Sequence, residues 1–83
     1  MTGLLDIGFG NLVSTVRLIA LVTPDSAPAR RLIADARDRG ALIDATSGKK
    51  TRSILVMDSD HVILSALETD TLRDSLCDNE VIY

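Results

Sequence analysis

Lys49, Lys50 and Arg52 fall within four positions of an 83-residue chain, directly after Gly48 and with no acidic residue between Asp44 and Asp58. Cations grouped in this way keep their field uncancelled and attract phosphates; the bland alternative is a solvated hairpin whose charges discourage edge aggregation. Alternation along an extended segment sends Lys50 and Arg52 to one side and Lys49 to the other, so the turn before them decides how they converge. Arg17 is the second place of interest. It sits among Val16, Leu18 and Ile19, where a charge is costly unless its head reaches solvent, an anion or a carboxylate such as Asp6 or Asp44. Arg30 and Arg31 read as ordinary helix-surface or subunit-interface charges.

Other chemistry-bearing groups fall short of a site. Gly8-Phe9-Gly10 lacks the third glycine of a dinucleotide loop, which would fall at Val13, and no helix with a free N-terminus follows. Gly48-Lys49-Lys50-Thr51 resembles the end of a P-loop, but the first glycine of that pattern would be Ile43 and a second Lys is inserted before the Thr. Asp58, Asp60 and His61 fail the calcium-loop pattern at Ile63 and Thr69 and read as a polar turn with His61 at a strand edge. One His and one Cys, with no local general-base or nucleophile pairing, disfavour an enzyme, and no cofactor is expected.

The elements that must position these residues follow from pattern. Leu4–Ile7 reads as a strand stopped by Gly8-Phe9-Gly10-Asn11, and the latter half of residues 12–22 reads as another. Ser26 or Asp25 caps a helix from Ala27 to about Arg39, with Pro28 in its first turn and Gly40 as its stop. Residues 42–45, 53–57 and 61–65 read as strands, and Thr69 or Asp70 begins a short helix through Leu76. The order β-β-α-β-β-β-α predicts an α+β fold: a small twisted sheet of about five strands, packed with one main helix and a short C-terminal helix.

Length and composition confine this to one domain, residues 1–83, with an aliphatic core: Trp is absent and Phe9 and Tyr83 are the only aromatics. A module that stacks bases on aromatic side chains is improbable on that count. The formal charge of −3 argues against nucleic acid at face value, but it averages two unlike parts. Residues 1–52 carry eight bases against five acids, a surplus of three positive charges; residues 53–83 carry only Arg73 against seven acids, a surplus of six negative. The separation permits a basic face on an acidic protein. Cys77 alone cannot form an intramolecular disulfide, and Leu18–Val22, the longest aliphatic run, is far short of a membrane span. A cytoplasmic protein without a membrane partner is expected.

Five blocks carry a more specific signal: Ile7-Gly8-Phe9-Gly10-Asn11, Ser26-Ala27-Pro28, Asp35-Ala36-Arg37-Asp38-Arg39-Gly40, Leu42-Ile43-Asp44-Ala45-Thr46 and the stretch from Val56 to Ser65. In this order, over roughly residues 6 to 76, they resemble the RemA family. The resemblance implies a LytTR-like fold, a bacterial DNA-binding transcriptional activator of extracellular-matrix (biofilm) genes, and a homo-oligomer closed into a ring. It also implies that Arg17, Lys49 and Lys50 are the DNA-binding residues, with Arg52 close by.

The partner would then be double-stranded promoter DNA, A·T-rich where the groove is narrow, and the protein would be nucleoid-associated when bound; no small-molecule substrate is expected. Members often carry two arginines where this chain has Lys49-Lys50, and often Asn where it has Val16. Lysine keeps the attraction for phosphate but lacks the bidentate fork. The competing expectation is an oligomeric scaffold that binds an acidic protein with the same cations. If DNA is the partner, the acidic C-terminal part is expected to face away from it.

Overall fold

Gly8, Phe9 and Gly10 have φ of 99°, 56° and 81°, and this left-handed run reverses the chain between β1 (Leu4–Gly8) and β2 (Asn11–Ser14). Two local bonds hold the reversal: the Gly8 N–H donates to Asp6 Oδ1 at 2.8 Å, and Asn11 Nδ2 donates to the Gly8 carbonyl at 3.1 Å. Gly8 has a second reason to be glycine, since an added Cβ would lie 3.3 Å from Leu67 Cγ. The computed structural model describes residues 3–79; Tyr83, noted above, and Glu80, one of the seven acids counted in residues 53–83, lie outside them.

A single 3-10 turn, Thr15–Arg17, leads from the hairpin into β3 (Leu18–Val22). The helix α1 (Ala27–Arg39) follows, capped by the Ser26 hydroxyl, which accepts from the Ala29 N–H, and ended by Gly40 at φ 73°. These are the cap, the first-turn proline and the stop that the sequence predicts. Then come β4 (Leu42–Asp44), β5 (Ser53–Met57), β6 (Val62–Ser65) and α2 (Thr69–Asn79).

The α+β class holds, with six strands divided between two sheets. The β1–β2 hairpin stands alone, and β3, β5, β6 and β4 form a four-stranded sheet in that order, antiparallel except for the parallel pair β4–β6. What reads as one stretch from Leu12 to Val22 is two strands, because the 3-10 turn at Thr15–Arg17 redirects the chain from one sheet to the other.

Alternation along the central strands sends side chains to two cores. Ile54, Val62 and Leu64 pack against Ala29 and Ala36 of α1. Leu55, Met57 and Ile63, on the other face, pack against Leu5, Ile7 and Val13 of the hairpin and Leu72 of α2. The sheet is therefore covered on both sides, which explains why every residue of β6 is buried. Two buried serines join the layers: Ser65 Oγ donates to the Ile7 carbonyl and Ser53 Oγ to the Leu67 carbonyl, each at 2.9 Å.

A candidate nucleic-acid interface at two poles of the sheet

The basic segment begins in a tight turn. Ser47 and Gly48 have φ of 55° and 82°, and the Lys49 N–H donates to the Thr46 carbonyl at 3.0 Å, a reversal in which both central residues are left-handed. Asp44 anchors it, accepting from the Thr46 N–H at 2.9 Å and from the Thr46 hydroxyl at 2.6 Å. The Thr46 hydroxyl first, and its N–H second, hold the Asp44 carboxyl below its ordinary value of 3.8.

A carboxylate whose folded pKa is depressed stabilises the fold above its unfolded pKa, and that contribution is lost as pH falls through the folded value. The turn should therefore loosen below about pH 4. In Thr46→Ala the Asp44 titration, followed by carboxyl NMR, should move up toward the ordinary value because only the N–H donor remains.

From this turn residues 49–52 cross the end of β6. The Ala45 N–H donates to the Leu64 carbonyl on one side and the Arg52 N–H to the Ser65 carbonyl on the other. Lys49, Lys50 and Arg52 are thus displayed, exposed, at one end of the four-stranded sheet. Neither lysine has a carboxylate partner among the described residues, whereas Arg52 Nη1 lies 2.9 Å from Glu68 Oε2.

Arg17 is at the opposite end. Its carbonyl accepts from the Asp58 N–H at 2.8 Å, and its Nη1 lies 3.2 and 3.3 Å from the two Asp58 carboxylate oxygens. The acid that meets it is Asp58, 41 positions away in sequence, and not Asp6 or Asp44. From Arg52 to Asp58 the chain advances six residues along β5, about 20 Å at strand rise. Lys49, Lys50 and Arg52 thus form one pole, Arg17 a second, and the structure does not bring the four together within a protomer.

The acidic part does not simply face away. Glu68 and Asp70, at the start of α2, border the same polar cleft as Lys50 and Arg52, together with Asp25, and Thr69 Oγ1 donates to the Arg52 carbonyl at 3.3 Å. This corrects the placement expected from charge segregation: α2 packs with the hairpin against the sheet face, and its N-terminus emerges beside the basic segment. The Asp58-Ser59-Asp60-His61 turn behaves as a turn. Asp60 has φ 71°, the Met57 and His61 backbones are paired, and Ser59 Oγ lies 2.8 Å from His61 Nδ1. No group of three His, Cys, Asp or Glu residues among the described ones is arranged to hold a metal.

Apolar residues are exposed along both edges of the sheet. On the β3 side they are Val16, 84% exposed, and Ile19, 65% exposed; on β4 it is Ile43, 45% exposed. Ile19 is the extra residue where the β3–β5 register shifts between Leu18 and Ala20, a bulge that blunts this edge against continuous strand pairing. Among the described residues, no helix is long and apolar enough to cross a membrane.

The small α+β scaffold thus displays exposed cations at both ends of its four-stranded sheet, with Arg17 and Arg52 each paired to a carboxylate. Residues 4–76 match the family model for RemA-like proteins, described as extracellular matrix regulatory protein A-like, and the chain belongs to that family. It is 56% identical over 79 residues to extracellular matrix regulatory protein A of Bacillus subtilis, covering 95% of this chain and 89% of the relative. A protein of Desulforamulus reducens that bears the name "putative regulatory protein" is 56% identical over 77 residues, covering 93% and 86%, and one of the same name from Clostridium perfringens is 54% identical over 79 residues, covering 95% and 89%.

Proposed function

We propose that the protein is a homo-oligomeric DNA-binding transcriptional regulator, an activator of extracellular-matrix genes, whose copies form a ring. The observation that carries this reading is the Lys49-Lys50 pair. It is exposed, free of carboxylate partners among the described residues, and fixed by a turn in which Asp44, Thr46 and Gly48 each have a definite part.

The separation of the poles gives oligomerisation a chemical role. About 20 Å exceeds the width of either DNA groove, roughly 12 Å for the major and 6 Å for the minor, so one protomer touches phosphates at two isolated places. Two or three such contacts hold a duplex weakly. Repeating them around an assembly makes every contact after the first intramolecular and raises the effective concentration of cations at the phosphates. Exposed apolar residues on opposite sheet edges, Val16 and Ile19 against Ile43, suit a head-to-tail interface that closes into a ring.

With contacts mainly to phosphates, sequence preference comes from how readily a promoter bends around the assembly, and narrow A·T-rich minor grooves favour Arg17. The family name of the Bacillus subtilis relative supports matrix genes as the target. A gel shift with matrix-gene promoter fragments against equal-length random DNA tests the reading. Retention of the promoter at lower protein concentration than the random fragment is expected. No shift with either, at low salt, would instead favour a scaffold for an acidic protein.

A further inference from the structure

The two arginines of the basic set differ from the two lysines in one respect: each is already held by a carboxylate. Arg17 gives only Nη1 to Asp58, and Arg52 gives Nη1 to Glu68. Both pairs lie at the surface, with all four side chains substantially exposed, so neither is part of the core. Neither carboxylate makes another side-chain hydrogen bond among the described residues, and each comes from the acidic part of the chain and meets a cation of the basic part. Exposed ion pairs of this kind contribute little to stability. Their effect on an incoming anion is larger, because a phosphate must displace the carboxylate or approach a pair whose net charge is zero.

Resting on the DNA-binding reading, we propose that Asp58 and Glu68 are affinity-setting residues of the interface, competing with DNA phosphates for Arg17 and Arg52. Of these four cations, Lys49 and Lys50 alone are without a carboxylate partner among the described residues. The lysines capture the duplex, and the arginines engage only where the phosphate geometry repays loss of the carboxylate contact. Non-specific DNA is then held by the lysines alone, and a well-shaped site recruits the arginines as well. The carboxylates thereby trade affinity for discrimination, using repulsion against the wrong partner.

The alternative sign, in which Asp58 orients Arg17 for DNA, predicts the opposite result, and an isosteric substitution separates the two. Asp58→Asn keeps an oxygen able to accept from Arg17 while removing the charge, and the backbone bond between residues 58 and 17 is unaffected. The full-length protein, its Asp58→Asn and Glu68→Gln variants, and a Lys49→Ala/Lys50→Ala control are titrated with a promoter duplex and a random duplex over a salt series.

Each removed carboxylate is expected to tighten binding to the random duplex, by up to about eightfold at 0.1 M salt per engaged protomer, with a log–log salt slope steeper by about 0.9. The promoter-to-random ratio is expected to fall. Unchanged or weaker binding by Asp58→Asn and Glu68→Gln, in a protein whose binding is lost with the lysines, would overturn the competition and leave the DNA reading intact. A wild-type protein that binds neither duplex at low salt would overturn the DNA reading and the proposal with it.

Discussion

Replacing Lys49 and Lys50 together by Ala should abolish detectable DNA binding at physiological salt while leaving the oligomeric mass unchanged. The two lysines are exposed beyond the Thr46–Lys49 turn and pack against neither core, so their loss removes charge without creating a cavity. Each phosphate contact contributes about 0.9 to the log–log salt slope, so the double variant loses about two units per engaged protomer. In the proposed assembly, where every contact after the first is intramolecular, the loss of affinity multiplies from copy to copy. The conservative pair Lys49→Arg and Lys50→Arg should bind at least as well as wild type, since guanidinium keeps the charge and adds a bidentate fork. Equal affinity of wild type and the alanine double variant at matched salt would remove this pole from the interface.

Leu55→Ala should produce the largest loss of stability. Leu55 is fully buried in the middle of β5, between the hairpin, α2 and the neighbouring strands. A buried Leu→Ala change costs about 2 to 5 kcal/mol through lost transfer energy and the cavity left behind. A domain of this size has few contacts to spare, and its total stability is on the order of 5 kcal/mol. Thermal melting should show a large fall in midpoint, partly offset at high protein concentration if assembly stabilises the folded chain. β5 also spaces Arg17 from Arg52, so this variant should lose stability and DNA binding together, whereas the lysine variant loses binding alone. A melting midpoint within a degree or two of wild type would show that the hairpin-side core contributes less than its burial implies.

The parts of the fold legible in the sequence are those with local causes. Ser26, Pro28 and Gly40 bracket α1 because each acts on its own helix terminus. Gly8-Phe9-Gly10-Asn11 declares a reversal because few other sequences adopt successive positive φ values. Lys49, Lys50 and Arg52 are visible as a group because they fall within four positions and lack nearby acids. The division of residues 12–22 was not legible: both halves are rich in β-formers, and what separates them is a three-residue turn whose direction depends on packing the hairpin against the sheet.

The partners of the arginines were equally hidden. Asp58 reaches Arg17 only because β3 and β5 pair antiparallel, and Glu68 reaches Arg52 only because α2 starts beside the end of the sheet. Charge segregation along the chain shows that a basic face is possible; it does not say which acids stand next to it. The same topology explains why four cations that look like one cluster and one outlier become two poles. Lys49 to Arg52 stay together at the end where β5 begins, and Arg17 is carried to the end where β5 finishes.

Native mass measurement of the purified protein, alone and with a promoter duplex, addresses the central claim most directly, because DNA contact and assembly are joined in it. The account predicts a single closed homo-oligomer without DNA, and the same number of copies carrying one duplex when DNA is added. A monomer that remains a monomer of unchanged mass in the presence of the duplex would contradict it.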